Sequence, residues 1–337
     1  MGNRIADLRR QLGLTQTELA LACGLTRPLI SAVETDRHTP SVKAAMAIAW
    51  ALGTSVEELF GGASSVGDLR PALGTVPEDD VAVTAVQVGD ILSYHPVDHP
   101  GAGWDRADGM LHNGQLELFE DVDTSGFAVA GCDPAIGLAA SLLPARGPQR
   151  LVAIQASSAQ AIKALEEGTV HAALVHGPRG HLRKPSRPVR RFILADWQVG
   201  LAVRSGTPTD MEKLAKGKLR AVRRDPGAEA ERALERRLLA AGGVVLRQGP
   251  PAIGHLDAAR HVAYGSADVA ATMEAAAIAY DLDFTPLEGH RAELRVAEEW
   301  EAHPGARALL DLIVSRPMLD RLEAVGGYDL RRTGEAA

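Results

Sequence analysis

A chain of 337 residues is too long for one ordinary core and implies two or three domains. Its composition, 46% hydrophobic but only 4% aromatic, holds no apolar run near the ~20 residues of a membrane span. Cys23 and Cys132 alone exclude a disulfide framework or a cysteine-based zinc motif, so a cytoplasmic chain without a membrane partner is expected. The net charge of −7 does not point to nucleic acid. Residues 1–62 carry six cations against six acids, so any DNA contact must come from the placement of a few side chains.

Ile5, Leu8, Leu12 and Leu14 predict a first amphipathic helix that ends near Gly13. Thr15, with Glu18 three residues on, forms a capping box for a helix from Gln16 to Ala22, and Cys23-Gly24 makes a tight turn. Thr26 caps the next helix, Arg27 to Glu34, where Pro28 in the first turn loses no intrahelical bond. Ser41 opens a fourth helix through Leu52, Gly53 stops it, and Val56, Leu59 and Phe60 close the core.

The phrases Gly13–Ala20, Gly24-Leu25-Thr26-Arg27, Ile30–Glu34, Pro40-Ser41, Ile48–Gly53 and Val56–Phe60 together resemble the XRE-type helix-turn-helix of phage repressors. The resemblance implies an all-α domain over residues 1–62 whose helix from Arg27 lies in the major groove of an operator. It places Gln16 at the groove edge and Arg27, Pro28 and Ala32 toward bases, with Thr17, Thr26 and Ser31 in the same interface. Arg37 and Thr39 would approach phosphates, while Arg9 and Glu34 match an internal ion pair. Thr35-Asp36 stands where the family has Asn-Gly, and the acid there would repel phosphate. Pro28 and Ala32 offer no hydrogen bond, which leaves Arg27 to read a guanine through O6 and N7. A unit this small is expected to bind as a homodimer on two half-sites. The competing reading is a helix-turn-helix that serves only as a protein-interaction adaptor.

Residues 63–80 begin with a run of small residues and read as a linker. From Val81 to Glu120 three short strands are expected, Val81–Asp90, Ile91–Tyr94 and Gln115–Glu120, and after them strands alternate with helices as in a parallel α/β sheet. Expected strands include Phe127–Gly131, Leu151–Ile154, His171–Val175, Trp197–Val203, Leu219–Val222, Val244–Leu246 and Asp268–Ala270. A closing helix is expected from Ala306 to Val325. The chain builds one α/β half, crosses over near Trp197, builds a second and returns near Tyr280–Phe284. That double crossover resembles the type II periplasmic-binding-protein fold, in the cytoplasmic molybdate-binding-like form fused to helix-turn-helix domains. The resemblance implies a ligand-sensing domain over 81–330, with lobes at 81–196 plus 276–330 and at 197–275.

A sensing site in such a fold lies between the lobes, at loops after strands, where helix N-termini favour anions. Cys132, Asp133, Ser157, Ser158 and Arg224 stand at three such loops, and Glu274 at a fourth. The two serines donate without adding negative charge, although Ser and Asp also serve as ordinary caps. Asp133, Glu274 and the acids Glu229 and Glu231 oppose an anion and favour a ligand with a cationic or donor group. An organic metabolite, a molybdate- or tungstate-type oxyanion and a ligand-free domain all stay open. Cys132 reads either as a redox thiol or as a small buried residue. His171, His176 and His181 lack regular metal-ligand spacing, and the basic stretch His181–Arg191 reads as a solvated loop. No nucleophile elbow, P-loop or acid pair is present, so the sequence predicts a regulator without catalysis and without a cofactor beyond its effector.

Overall fold

The computed structural model describes residues 4–337 apart from 36, 39, 55, 57–58, 60–67, 77–79, 98–105, 184, 210, 241 and 243–246. The chain divides into two compact units, Met1–Gly67 and Asp68–Ala337. The first holds α1 (Arg4–Gln11), α2 (Gln16–Cys23), α3 (Arg27–Glu34) and α4 (Val42–Ala51). Local chemistry sets these boundaries. Thr15 Oγ1 accepts from the Glu18 amide while Glu18 accepts from the Thr15 amide, and Gly24 ends α2 at φ 64°. Ser41 caps α4 through the Ala44 amide, whereas Thr26 sits at the start of α3 without a side-chain bond. Ile5, Leu19, Ile30, Val33, Ile48 and Leu52 meet in one small core.

The second unit contains two sheets among its described residues. The smaller is ordered β1-β3-β2-β4-β5, from β1 (Asp68–Pro71), β2 (Val81–Val88), β3 (Ile91–Pro96), β4 (Gly109–His112) and β5 (Gln115–Leu118). This corrects two expectations. Residues 68–71 are not linker but a strand parallel to β3, and residues 81–118 form their own sheet rather than extending the first lobe's. A second hydrophobic face explains the separation: Val83, Tyr94 and Leu111 make a core of their own. Asp108 ties this sheet to the α/β body, accepting from the Ala85 amide at 2.9 Å and from Arg150 at 2.7 Å. Thr169 Oγ1 donates to the Ala72 carbonyl at 2.7 Å, which fixes the turn after β1 against the body.

The larger sheet runs β11-β10-β12-β9-β13-β8-β6-β7, with β14 (Tyr328–Asp329) also paired to β9. One half comprises β6 (Phe127–Gly131), β7 (Leu151–Gln155) and β8 (Ala172–Pro178); the other comprises β10 (Arg220–Arg223), β11 (Arg247–Pro251) and β12 (Val269–Met273). Between them lie β9 (Val189–Arg204) and β13 (Leu282–Ala297), antiparallel and 16 residues each. These two long strands are the crossovers expected near Trp197 and Phe284, and each serves both lobes. Helices α5 (Ala135–Leu142), α6 (Ser158–Glu167), α8 (Glu229–Ala240) and α9 (Gly254–Ala263) follow β6, β7, β10 and β11, with the short α7 (Met211–Ala215) before β10. α10 (Glu274–Ala279) follows β12 directly, and the expected closing helix is two, α11 (Pro304–Ile313) and α12 (Arg316–Val325). The expected strand Val244–Leu246 lies outside the described residues.

Candidate functional site

In the first unit α3 buries Ile30, Val33 and Glu34, so its opposite side faces out. Thr26, Arg27 and Pro28 are exposed there, with Ser31 and Ala32 half-buried alongside. Arg9 holds the helix from behind: Nε and Nη2 meet the two Glu34 oxygens at 2.6 and 3.1 Å, and Nη1 donates to the Leu14 carbonyl. Gln16 Nε2 donates to Glu34 at 2.8 Å. Burial pushes the Glu34 carboxyl up, but the bonds from Arg9 and Gln16 outweigh it and hold the group below its ordinary value. Thr17 is exposed beside Gln16, and exposed Arg37 donates to Thr35 Oγ1 at 3.1 Å. Thr39 and Asp36 lie outside the described residues.

In the second unit a cleft of about 240 Å³ opens where β6, β7, β10 and β11 end. Cys132, Gln155, Ser157 and Gln160 line it from one lobe, Arg224, Asp225, Ala228 and Ile253 from the other. Leu73 and His95, from the small sheet, close a third side. Ser157 caps α6 through a capping box with Gln160, which uses its hydroxyl oxygen as acceptor and leaves its proton out of the cap. Arg224 is only 8% exposed, and its Nη1 donates to the Ala271 carbonyl at 3.3 Å. Gly227 permits the close approach of this loop to α6: a Cβ there would lie 2.7 Å from the Ala159 methyl.

Residues 5–59 match the helix-turn-helix family model, and residues 140–314, half of the chain, match the PBP superfamily domain. An immunity repressor protein of Bacillus phage phi105 is 32% identical over 124 residues, covering 37% of this chain and 78% of that protein. An HTH-type transcriptional regulator of Methanothermobacter thermautotrophicus is 46% identical over 61 residues, 18% of this chain and 88% of its own length. The chain belongs to the helix-turn-helix transcriptional regulators and carries a PBP superfamily domain. Among solved structures, this regulator's chain is similar to the bromide-bound regulatory domain of HypT from Salmonella typhimurium, at 14% identity and TM-score 0.43, covering 58% of this chain and 95% of that one. It is also similar to an ABC-type phosphate transport receptor from Vibrio cholerae, at 12% identity and TM-score 0.41, covering 60% and 99%. Likenesses at this level carry no argument about a ligand.

The regulator's structure thus brings Cys132, Ser157 and Arg224 into one cleft and sends the other three expected ligand residues elsewhere. Asp133 is 1% exposed and accepts from Trp197 Nε1, Tyr328 Oη and the Ala135 amide, a buried knot in the body. Ser158 bridges to β8, accepting from the His176 amide and donating to the His176 carbonyl. Glu274 lines a different pocket with Arg179, Asp196, Trp197 and Tyr328. It opens α10 immediately after β12, without a loop, and the chain turns there toward β9 and the Gly327 turn.

A cluster that spacing in the sequence did not reveal lies beneath the cleft. Cys132 Sγ and His255 Nε2 stand 3.1 and 3.3 Å from His176 Nε2, and His176 Nδ1 is 2.9 Å from His290 Nδ1. The ligand atoms of Cys132, His176 and His255 fall within 4.8 Å of one another, close enough to suggest a metal. Their hydrogen bonds do not fit one. The Met273 amide can only donate, so His255 Nδ1 accepts and the neutral ring carries its proton on Nε2, pointing at His176. The His176 proton then sits on Nδ1 toward His290, whose Nε2 proton reaches Glu288 at 2.6 Å. One direction of donation satisfies every ring. Burial, first of all, pushes His176 and His255 well below the ordinary histidine value, and nearby Arg224 adds to it.

Proposed function

We propose that this chain is a ligand-responsive transcriptional regulator, which reads operator DNA through α3 and senses a small molecule in the cleft between its lobes. One observation supports the sensing step above others: a buried guanidinium, Arg224, faces an open cleft at the strand C-termini without an ion-pair partner among the described residues. Occupancy can act on DNA only if the effector has different affinity for two lobe arrangements, so a closing cleft is the two-state element. DNA reading is carried by Arg27, the exposed fork-shaped donor of the first turn of α3, with Gln16, Thr17, Thr26, Pro28, Ser31 and Arg37 around it.

The partner that α3 requires is a second copy of the chain, one per half-site. Val42, Met46 and Trp50 support this reading: they recur every fourth residue along α4 and are 77%, 60% and 85% exposed, an apolar stripe on a helix other than the reading one. Duplexes selected by the full chain from a randomised pool, then footprinted, test the whole reading. Two protected half-sites about one helical turn apart are expected. Selected duplexes without a common motif would leave the adaptor role.

A further inference from the structure

The chemistry of the cleft identifies the class of its ligand, on the basis of the sensing role proposed above. Arg224 brings five N–H donors into the wall, and one of its nitrogens meets a backbone carbonyl. No ion pair joins it to a carboxylate among the described residues. The acids nearest in electrostatic reach are otherwise engaged: Asp225 Oδ1 accepts from the Gly227 amide at 2.7 Å, and Asp257 accepts from the Ile253 amide and from Arg260. Glu231 is held toward its neutral form by burial, and one of its oxygens is buried without a partner. The Cys132 thiol is pushed up to about 12 by burial and adds no charge. A buried cation normally has a partner, because desolvating it alone is costly. Here the open side of Arg224 is the cleft.

The remaining wall decides which anion fits. Ser157 offers a hydroxyl proton on the lobe opposite Arg224, at the start of the ten-residue α6. His95, Gln155 and Gln160 add polar side chains to the lining, and Leu73, Ala156, Ala228, Ala252 and Ile253 give the rest an apolar wall. A tetrahedral oxyanion needs donors on every side, and the wall formed by the side chains of Leu73, Ala252 and Ile253 offers it none. A carboxylate has its two oxygens on one edge, matching the guanidinium fork, and leaves an organic body to meet the apolar wall. Asp225, at the rim, opposes a second carboxylate. The volume of about 240 Å³ falls below the ~300–1,000 Å³ of drug-sized sites. We propose that the cleft binds a small organic monocarboxylate, gripped by Arg224 and Ser157, with its body against Leu73, Ala252 and Ile253. This reverses the expectation of a cationic or donor-bearing ligand, because Glu274 and Asp133, two acids behind that expectation, stand outside the cleft.

The test uses the full chain, melted and titrated calorimetrically against propanoate, hexanoate, benzoate and their amides, with succinate, phosphate and molybdate beside them. At least one monocarboxylate should raise Tm and bind, while its amide, succinate and both inorganic oxyanions should not. Arg224→Gln should weaken that binding on the order of 100-fold, and Arg224→Lys should not restore it, since an ammonium cannot form the fork. Without ligand, Arg224→Gln should melt at or above the wild type, because it removes a buried charge that lacks a partner. Binding of phosphate or molybdate instead, full binding by Arg224→Gln, or no binding by any of the monocarboxylates would each overturn the assignment. A monocarboxylate that binds through Arg224 yet leaves operator affinity unchanged would sink the regulatory reading alone. A neutral ligand that binds the cleft and changes operator affinity would sink this inference alone.

Discussion

Arg9 is half-buried and Arg224 buried, and the two lead opposite lives. Arg9 meets both oxygens of Glu34 and a backbone carbonyl, so its charge is answered within the fold. Arg224 meets one carbonyl and an open cleft. The first arrangement is a structural clamp behind α3, while the second leaves a charge for the proposed effector to answer. Burial alone therefore does not separate an arginine answered within the fold from one left open; the count of satisfied donors does.

The largest expected effect is on the clamp. Glu34→Ala strands Arg9 and should cost the small unit on the order of 3 kcal/mol. A domain of that size has roughly 0.05–0.15 kcal/mol of stability per residue, about 3–9 kcal/mol in all, so its thermal midpoint should fall by roughly 12–24 °C. A variant whose transition overlays the wild type would erase the contrast between the two arginines.

Acid should separate the units as well. His171 is driven down to about 3, first by burial, and His176 and His255 are also held neutral. Such groups take up protons on unfolding, so their contribution is whole above about pH 6.5 and is lost as the pH falls toward their folded values. Glu34, held low, contributes fully above about pH 4.3 and loses that contribution only as the pH falls further. Calorimetry at pH 7 and pH 5 should show the large unit's transition falling while the small unit's holds. Two transitions that fall together would count against this assignment of the buried histidines.

Smaller effects sharpen the functional side. Arg27→Ala should weaken binding to a selected duplex by about 1–3 kcal/mol, with little change on random DNA, as titrations of the two would show. Equal loss on both would make Arg27 a phosphate contact. Ser157→Ala removes a helix cap and should lower the melting stability of the large unit by about 1 kcal/mol. It should also weaken the cleft's ligand; a melting loss without a binding loss would reduce Ser157 to a cap.

The small unit was the more legible in the sequence, because its signals are short-range. Thr15 with Glu18, Gly24 and Ser41 act within four residues of themselves, and the Arg9–Glu34 pair follows from the family pattern they reveal. In the large unit the strand ends were legible, and with them Cys132, Ser157 and Arg224. The direction in which a side chain leaves a strand end was not: Ser158, next to Ser157, turns into β8, and Glu274 lines a pocket with residues of β9. The histidine relay joins residues 79 and 114 positions apart, so no local spacing could announce it. Leu73 and His95 reach the cleft only because the small sheet is pinned by Asp108 and Thr169, a tertiary contact without a local signature.

The cleft should control the affinity of the reading head for DNA, and this control can be measured. It is tested most directly by fluorescence anisotropy of a selected duplex titrated with the full chain and with Arg224→Gln, each with and without the monocarboxylate that binds. The wild-type Kd should change by about 5–150-fold, the usual range of coupling between sites, while the variant's Kd stays the same with ligand as without. A wild-type Kd unmoved by saturating ligand, or an equal shift in Arg224→Gln, would contradict it.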